Sequence, residues 1–71
     1  MKKSEVILHI YHRLLVNKSI YKKEITDKFD LSGLRFARYI AEIRSFLVKE
    51  NLSYQLIYER KTDKYSLVRI R

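Results

Sequence analysis

The spacing of apolar residues changes once along the chain, and this change sets the order of its secondary structure. Phe36, Ile40, Ile43 and Leu47 follow one another at steps of four, three and four, which is the spacing of one helical face. After Asn51 the pattern alternates between apolar and polar residues, as it does in half-buried strands. The chain is therefore expected to form an α+β fold in which helices come first and strands follow.

Three helices are predicted before this change, over residues 4–16, 22–29 and 34–50. Apolar residues recur in these segments at three- and four-residue spacing, so each helix would bury one face. Ser4 is expected to cap the first helix, because serine side chains accept a hydrogen bond from the free N–H groups of a first turn. Ser32 is expected to cap the third helix, and it lies in a short polar turn that joins the second helix to the third.

The alternating segments, residues 54–58 and 65–70, predict a two-stranded hairpin whose tip, residues 59–64, is charged. Ile20 and its neighbours are expected either to add a short extra strand or to run extended into the second helix. A lone hairpin is marginally stable in water, so one of its faces has to pack on the helices. The candidates for that face are Leu56 with Tyr58, or alternatively Ile57, on the first strand, and Tyr65 with Leu67 on the second.

The composition limits the kind of protein this can be. A length of 71 residues is enough for one domain, residues 1–71, and a chain with no proline and one glycine shows no linker. Because cysteine is absent, neither disulfides nor thiolate metal sites can stabilise the fold. The sequence contains no apolar run as long as a membrane span and no signal-peptide core. A soluble, cytoplasmic protein with no membrane partner is therefore expected.

Positive charge is the strongest compositional signal. Sixteen lysines and arginines against eight aspartates and glutamates give a formal net charge of +8. On so small a surface this charge attracts polyanions, so nucleic acid is the leading partner class. The alternative is a basic surface that only keeps the protein in solution, and the placement of the charges along the predicted elements has to distinguish the two.

Three helices followed by a hairpin, with a short turn between the second and third helices, form the layout of a winged helix-turn-helix domain. A matching order of apolar, polar and basic residues runs through Ile25, Phe29, Leu31, Ser32, Phe36, Arg38, Ile40 and Ile43. This pattern resembles the helix-turn-helix of the DeoR-like regulators and of the N-terminal domain of the biotin-operon repressor. The segment Lys64-Tyr65-Ser66-Leu67 is similar to their returning wing strand. The resemblance implies a winged-helix fold that binds duplex DNA and regulates transcription.

The chain departs from that family pattern in three places. Gly33 and Arg35 stand where the family often has arginine and threonine, and the hairpin tip lacks the usual glycine. These differences bear on which bases such a domain would read, whereas the basic character of the surface is kept.

The start of the third helix carries the residues expected to contact DNA. Its apolar stripe is expected to point inward, and its outer side then carries Arg35, Arg38, Tyr39 and Glu42. Arg35 is expected to reach base edges in the major groove and Arg38 a phosphate or a base. Ser32 and the nearby N–H groups can hold a phosphate. The alternatives are that Arg38 only pairs with Glu42, and that Tyr39 packs under the hairpin instead of stacking on a sugar.

The hairpin is the second basic segment. Residues 60–71 hold five basic residues and one acidic residue, a net charge of +4 to which Arg71 contributes. The tip can therefore lie against a phosphate backbone or enter a minor groove. Basic residues at a hairpin tip also protect an exposed strand edge from aggregation, which is the alternative role. Together with two lysines of the second helix, the candidate DNA-binding residues are Lys22, Lys23, Ser32, Gly33, Arg35, Arg38, Tyr39, Glu42, Arg60, Lys61 and Lys64.

Residues suited to catalysis are scarce. His9 and His12 are three residues apart on the first helix and could share a metal, but no cysteine and no acidic third ligand accompanies them. Two surface histidines are therefore the expectation. The sequence has no glycine-rich phosphate loop, nucleophile elbow or catalytic carboxylate pair. The chain is predicted not to be an enzyme, and no metal, cofactor or small-molecule substrate is expected.

The leading functional hypothesis is sequence-specific or semi-specific binding of duplex DNA by a small transcriptional regulator. One alternative is a winged-helix module that binds a protein partner. Another is a binder of RNA or single-stranded nucleic acid, in which the hairpin tyrosines Tyr54, Tyr58 and Tyr65 would stack on bases, although most of these rings are expected to cover the core. A homodimer would bind two half-sites of a duplex. The apolar residues expected to form its contact are Tyr11, Leu15, Ile57 and Val68.

Overall fold

The computed structural model describes residues 2–70, which form three helices and a three-stranded antiparallel sheet. The helices are α1 (Lys3–Asn17), α2 (Lys22–Phe29) and α3 (Gly33–Lys49), and the strands are β1 (Ser19–Tyr21), β2 (Tyr54–Glu59) and β3 (Lys64–Arg69). The predicted α+β class, with three helices before a hairpin, is confirmed. Arg71, the last residue of the basic C-terminal segment, lies outside the described residues. No helix in the described range is long and apolar enough to cross a membrane.

Hydrogen bonds at the helix starts confirm one of the two predicted caps. Ser4 does not cap α1, because the helix begins one residue earlier than expected and the N–H of Lys2 donates to the carboxylate of Glu5 at 3.3 Å. Ser32 does cap α3, since its Oγ accepts the N–H of Arg35 at 3.1 Å. The start of the third helix is therefore fixed by the residue that the sequence indicated.

Four described residues, Lys18, Asp30, Asn51 and Asp63, adopt the left-handed conformation that usually selects glycine. Lys18 follows α1 with φ 71°, and its N–H donates to the carbonyl of Leu14 at 2.9 Å. Asp30 follows α2 with φ 53°, and its N–H donates to the carbonyl of Thr26. Asp63, in the hairpin tip, has φ 58°, a conformation that glycine adopts without strain. The chain therefore makes these turns at a steric cost that glycine would avoid.

The sheet has the order β1-β3-β2, with β3 in the centre. Leu56 pairs with Leu67 across β2 and β3, and both side chains are buried. Ile57 points to the other face of the sheet and is 44% exposed. The register that the sequence left open is therefore the one in which Leu56 faces the helices.

Ile20 lies in a short strand and not in an extended lead into α2. β1 pairs antiparallel with β3, Ile20 is opposite Tyr65, and the Ile20 side chain is buried. The N–H of Leu67 also donates to the carbonyl of Lys18 at 2.8 Å, which extends the contact. The hairpin is therefore part of a three-stranded sheet, because the segment between α1 and α2 fills the free edge of β3.

The inner side of α3 is the centre of the hydrophobic core. This helix contacts α1, α2 and β2, and the ring of Phe36 meets Tyr65 of β3 edge-to-face at 5.3 Å. Burial of a large apolar side chain contributes on the order of 1.5–3 kcal/mol, so this stripe is a main source of stability in a chain without disulfides. The buried apolar residues are Val6, Ile10, Leu14, Ile20, Ile25, Phe36, Tyr39, Ile40, Ile43, Leu47, Leu56 and Leu67.

Replacing Lys18 with glycine is expected to raise the free energy of unfolding by about 1 kcal/mol, because glycine adopts the left-handed conformation without the steric cost of a Cβ. Urea unfolding followed by circular dichroism measures the change. Ala41→Gly, at an exposed site inside α3, is the control and is expected to lower stability by about 1 kcal/mol. A Lys18→Gly protein no more stable than the wild type would contradict the strain at this helix end.

Candidate nucleic-acid interface

Lys22 connects three elements at the start of α3. It is the first residue of α2, and its N–H donates to the carbonyl oxygen of Asp63 in the hairpin tip at 3.0 Å. Its side chain extends to α3, where Nζ lies 3.4 Å from the position that a Cβ on Gly33 would occupy. One residue therefore holds the hairpin tip and the start of α2 close to the first turn of α3.

Positive charge is concentrated at this junction. The ammonium of Lys22 lies beside the N-terminal ends of α2 and α3, whose free N–H groups already carry partial positive charge. Within residues 2–70, the first turn of α3 contains no acidic residue. The first turn of α2 contains Glu24, whose carboxylate binds Arg13 at 3.1 Å. Lys22 therefore adds positive charge beside the first turn of α3, where the helix dipole favours an anion.

Arg35 and Arg38 are exposed on α3 beside a shallow depression of about 300 Å³, which Lys3, Tyr39 and Glu42 also line. The carboxylate of Glu42 binds Nζ of Lys3 at 2.7 Å and does not pair with Arg38. In the part of the chain that the structure describes, neither Arg35 nor Arg38 has a carboxylate within ion-pair distance. The alternative in which Arg38 only pairs with Glu42 is not the observed arrangement, and both guanidinium groups are accessible to a partner.

Tyr39 does not lie on the outer side of α3, and that prediction is wrong. Its side chain is 7% exposed and belongs to the hydrophobic core. The reason is helical geometry, because a residue three positions after Phe36 and four before Ile43 lies on the same face as both. The buried stripe is therefore wider than the four-residue pattern visible in the sequence. Tyr39 is one of the residues that line the depression beside Arg35 and Arg38.

The candidate lysines and arginines divide into unpaired and paired side chains. Arg60 and Lys61 in the hairpin tip are exposed, and no described carboxylate lies within ion-pair distance of either. Lys64 lies 3.7 Å from the carboxylate of Glu59 across the end of the hairpin, so its charge is already partly compensated. Lys23 lies 3.5 Å from a carboxylate four residues further along α2. Among the candidate cations of the described chain, those without a carboxylate within ion-pair distance are therefore Lys22, Arg35, Arg38, Arg60 and Lys61.

Hydrogen bonding and ring stacking hold the hairpin tip in place. The hydroxyl of Tyr58 donates to the carboxylate of Asp63 at 2.6 Å, and this bond raises the pKa of Tyr58 above its ordinary value. The ring of Tyr58 lies 4.7 Å from that of Tyr65, which packs on Phe36. Tyr65 thus covers the core, and Tyr58 connects the tip to it.

Two basic residues have positions that the sequence did not reveal. Lys3 belongs to the basic depression because it reaches across from α1 to Glu42. Arg44, on the same helix as Arg38, instead donates to the carbonyl oxygen of Leu56 at 3.2 Å and covers the edge of β2. No local pattern predicts either contact, since both depend on how distant segments pack.

His9 and His12 gather no third metal ligand, since the described residues contain no cluster of three or more His, Cys, Asp or Glu that could hold an ion. His9 packs edge-to-face on Phe29 of α2 at 5.0 Å, and its Nε2 is buried without a hydrogen-bond partner. Burial of the ring lowers the pKa of His9, and the nearby positive charges of Lys28 and Arg13 lower it further. His9 therefore acts as a neutral packing residue between α1 and α2.

Comparison of the chain with protein-family models, with curated proteins and with solved structures finds no match. The resemblance to the DeoR-like regulators therefore remains a prediction. The functional argument rests on the geometry and the charges described above.

The stability of the protein is expected to fall as the pH drops below 6.5, because His9 in the unfolded chain then takes up a proton that folded His9, with its lowered pKa, does not bind. Neutral His9 stabilises the fold fully above pH 6.5. This stabilisation is lost as the pH falls toward the lower pKa that His9 has in the folded protein. Urea unfolding on either side of this window measures the effect. His9→Gln is expected to reduce the pH dependence, while His12→Gln retains it. Equal pH dependence in all three proteins would rule out His9 as its source.

Proposed function

We propose that this chain is a winged helix-turn-helix domain that binds duplex DNA and acts as a small transcriptional regulator. In this proposal α2 and α3 are the helix-turn-helix pair, the first half of α3 enters the major groove, and the β2–β3 hairpin is the wing. The observation that carries the proposal is the junction at Lys22, because it brings the α2 start, the α3 start and the hairpin tip together at one end of the molecule.

The charges at this end favour a polyanion of extended shape. The candidate cations without a carboxylate partner come from three separate segments, so a single small anion could not neutralise them all. A DNA backbone supplies phosphates at regular spacing, and its major groove is wide enough for one α-helix. The residues that would contact it are Lys22, Ser32, Gly33, Arg35, Arg38, Arg60 and Lys61.

The position of each group suggests its role. Ser32 and the free N–H groups beside Gly33 would hold a phosphate at the start of α3, with the ammonium of Lys22 adding charge. Arg35 would reach base edges, where an arginine can donate two hydrogen bonds to guanine, and Arg38 would bind a phosphate or a base. The hairpin tip would then lie on the neighbouring backbone or in a minor groove.

Binding to duplexes of random sequence is expected to weaken steeply with salt. If about four cations neutralise phosphates, log K falls against log salt concentration with a slope of about −4. Fluorescence anisotropy of a labelled duplex between about 50 and 200 mM salt measures this slope. A duplex that does not associate at the lower salt concentration would refute DNA binding. Tighter binding to single-stranded RNA of the same length would favour the RNA hypothesis instead.

Replacing both Arg35 and Arg38 with alanine is expected to weaken DNA binding at least tenfold, since one arginine on a base edge contributes on the order of 1–3 kcal/mol. Both side chains are exposed, so circular dichroism and urea unfolding should show an intact fold. The charge-matched control is Lys28→Ala with Lys49→Ala, which removes two exposed positive charges away from the α3 start. An equal loss in both double variants would assign binding to net charge alone and contradict the proposed face.

Lys22→Gln is expected to change stability and DNA affinity in opposite directions. Removing a cation from two helix N-termini raises the free energy of unfolding by on the order of 0.3–1 kcal/mol. The same change removes a phosphate contact, so DNA binding weakens and the salt slope becomes shallower by about 1. Lys28→Gln, at the C-terminal end of α2 where a cation is favourable, is the control and should retain DNA affinity. Unchanged affinity in Lys22→Gln would remove this lysine from the interface.

A further inference from the structure

Leu34 is an exposed apolar residue in the first turn of α3. Its side chain is 65% exposed, and it belongs neither to the hydrophobic core nor to the residues packed against that core. Between residues 22 and 45, all of which the structure describes, it is the only large apolar side chain that is exposed. A leucine therefore lies open to solvent at the point where the proposed DNA contact begins.

The start of α3 is held in place without Leu34. Ser32 caps the helix, since its Oγ accepts the N–H of Arg35 at 3.1 Å. Leu31, just before the cap, packs against the core to which Phe36 belongs. Apolar residues at these two positions commonly fix the start of a helix together. Leu34 therefore has no part in the cap or in the core, and its side chain can contact a partner.

The neighbours of Leu34 belong to the candidate interface. Arg35 follows it directly, and Arg38 lies one helical turn further along α3. Neither arginine has a described carboxylate within ion-pair distance. Ala37 and Ala41 follow Leu34 at steps of three and four, are exposed, and line the cleft between α3 and the hairpin. Leu34 is therefore flanked by cations that would bind DNA and by small side chains that would let a base edge come close.

The major groove of B-DNA offers a leucine one apolar contact. Its base edges present hydrogen-bond donors and acceptors, and the only apolar group among them is the C5 methyl of thymine. A leucine placed against a donor or an acceptor removes that group from water without giving it a partner, which is unfavourable. Against the thymine methyl, both apolar surfaces leave water, which is favourable. Thymine is therefore the base whose edge fits Leu34.

We propose that Leu34 selects thymine by packing on its C5 methyl group in the major groove. The inference rests on the proposed DNA binding and adds a preference for one base to it. Cytosine is the pyrimidine that Leu34 disfavours, because it has no methyl at this position and presents an amino donor to the groove.

Replacement of thymine by uracil tests the proposal, since uracil lacks the C5 methyl but keeps the same hydrogen-bonding groups. The probes are an alternating TG·CA duplex of about 20 base pairs, two turns of B-DNA, and the same duplex with deoxyuridine at every thymidine. Fluorescence anisotropy at about 50 mM salt measures both affinities. The wild type is expected to bind the thymine duplex about fourfold tighter, the factor that corresponds to about 0.8 kcal/mol for one buried CH₂ group.

Leu34→Ala is expected to reduce this preference from about fourfold to less than about twofold, because alanine brings far less apolar surface to the methyl. Leu8→Ala is the matched control and should keep the full preference. Leu8 is 64% exposed, almost as much as Leu34, but lies on α1, away from the α3 start. Both substituted sites are exposed, so circular dichroism should show an unchanged fold.

Three results would overturn the inference and leave DNA binding standing: equal affinity of the wild type for the two duplexes, a thymine preference that Leu34→Ala retains in full, or a preference that Leu8→Ala loses as strongly. A wild-type protein that binds neither duplex would instead refute the proposed function, and this inference with it. The two failures are therefore distinguished by whether the wild type associates with the uracil duplex.

Discussion

The structure depends on the burial of one stripe of α3. Phe36 and the residues that follow it on the same face pack against α1, α2 and the sheet, so this helix touches every layer of the fold. With no disulfide among the described residues, apolar burial has to hold these layers together. The same burial fixes how α3 is rotated, and therefore directs Arg35 and Arg38 outward. The exposure of these two arginines therefore follows from the way α3 packs in the core.

The second feature of the molecule is the position of a lysine at the start of α3. Lys22 joins the hairpin tip to α2 through its backbone and reaches α3 with its ammonium, although both helix ends already disfavour a cation. The charges of Lys23 and Lys64, in contrast, are partly compensated by carboxylates within the chain.

The ion pair between Lys3 and Glu42 separates two surfaces with different properties. On one side lies the depression beside Arg35 and Arg38, and on the other a mostly apolar groove between α1 and α3, lined by Ile7, Leu8, Tyr11, Glu42, Ile43 and Phe46. Glu42 lines both surfaces, and Lys3 compensates its charge.

The sequence by itself determined the type and order of the three helices and the hairpin, because periodicity and capping are local properties that a residue such as Ser32 expresses through its near neighbours. It also indicated most of the buried stripe of α3. Only the tertiary structure decided that Tyr39 faces the core, that Ile20 completes the sheet, and that Glu42 pairs with Lys3 instead of Arg38. These outcomes depend on packing between segments far apart in the chain, and a spacing pattern within one segment carries no information about which distant side chain will lie beside it.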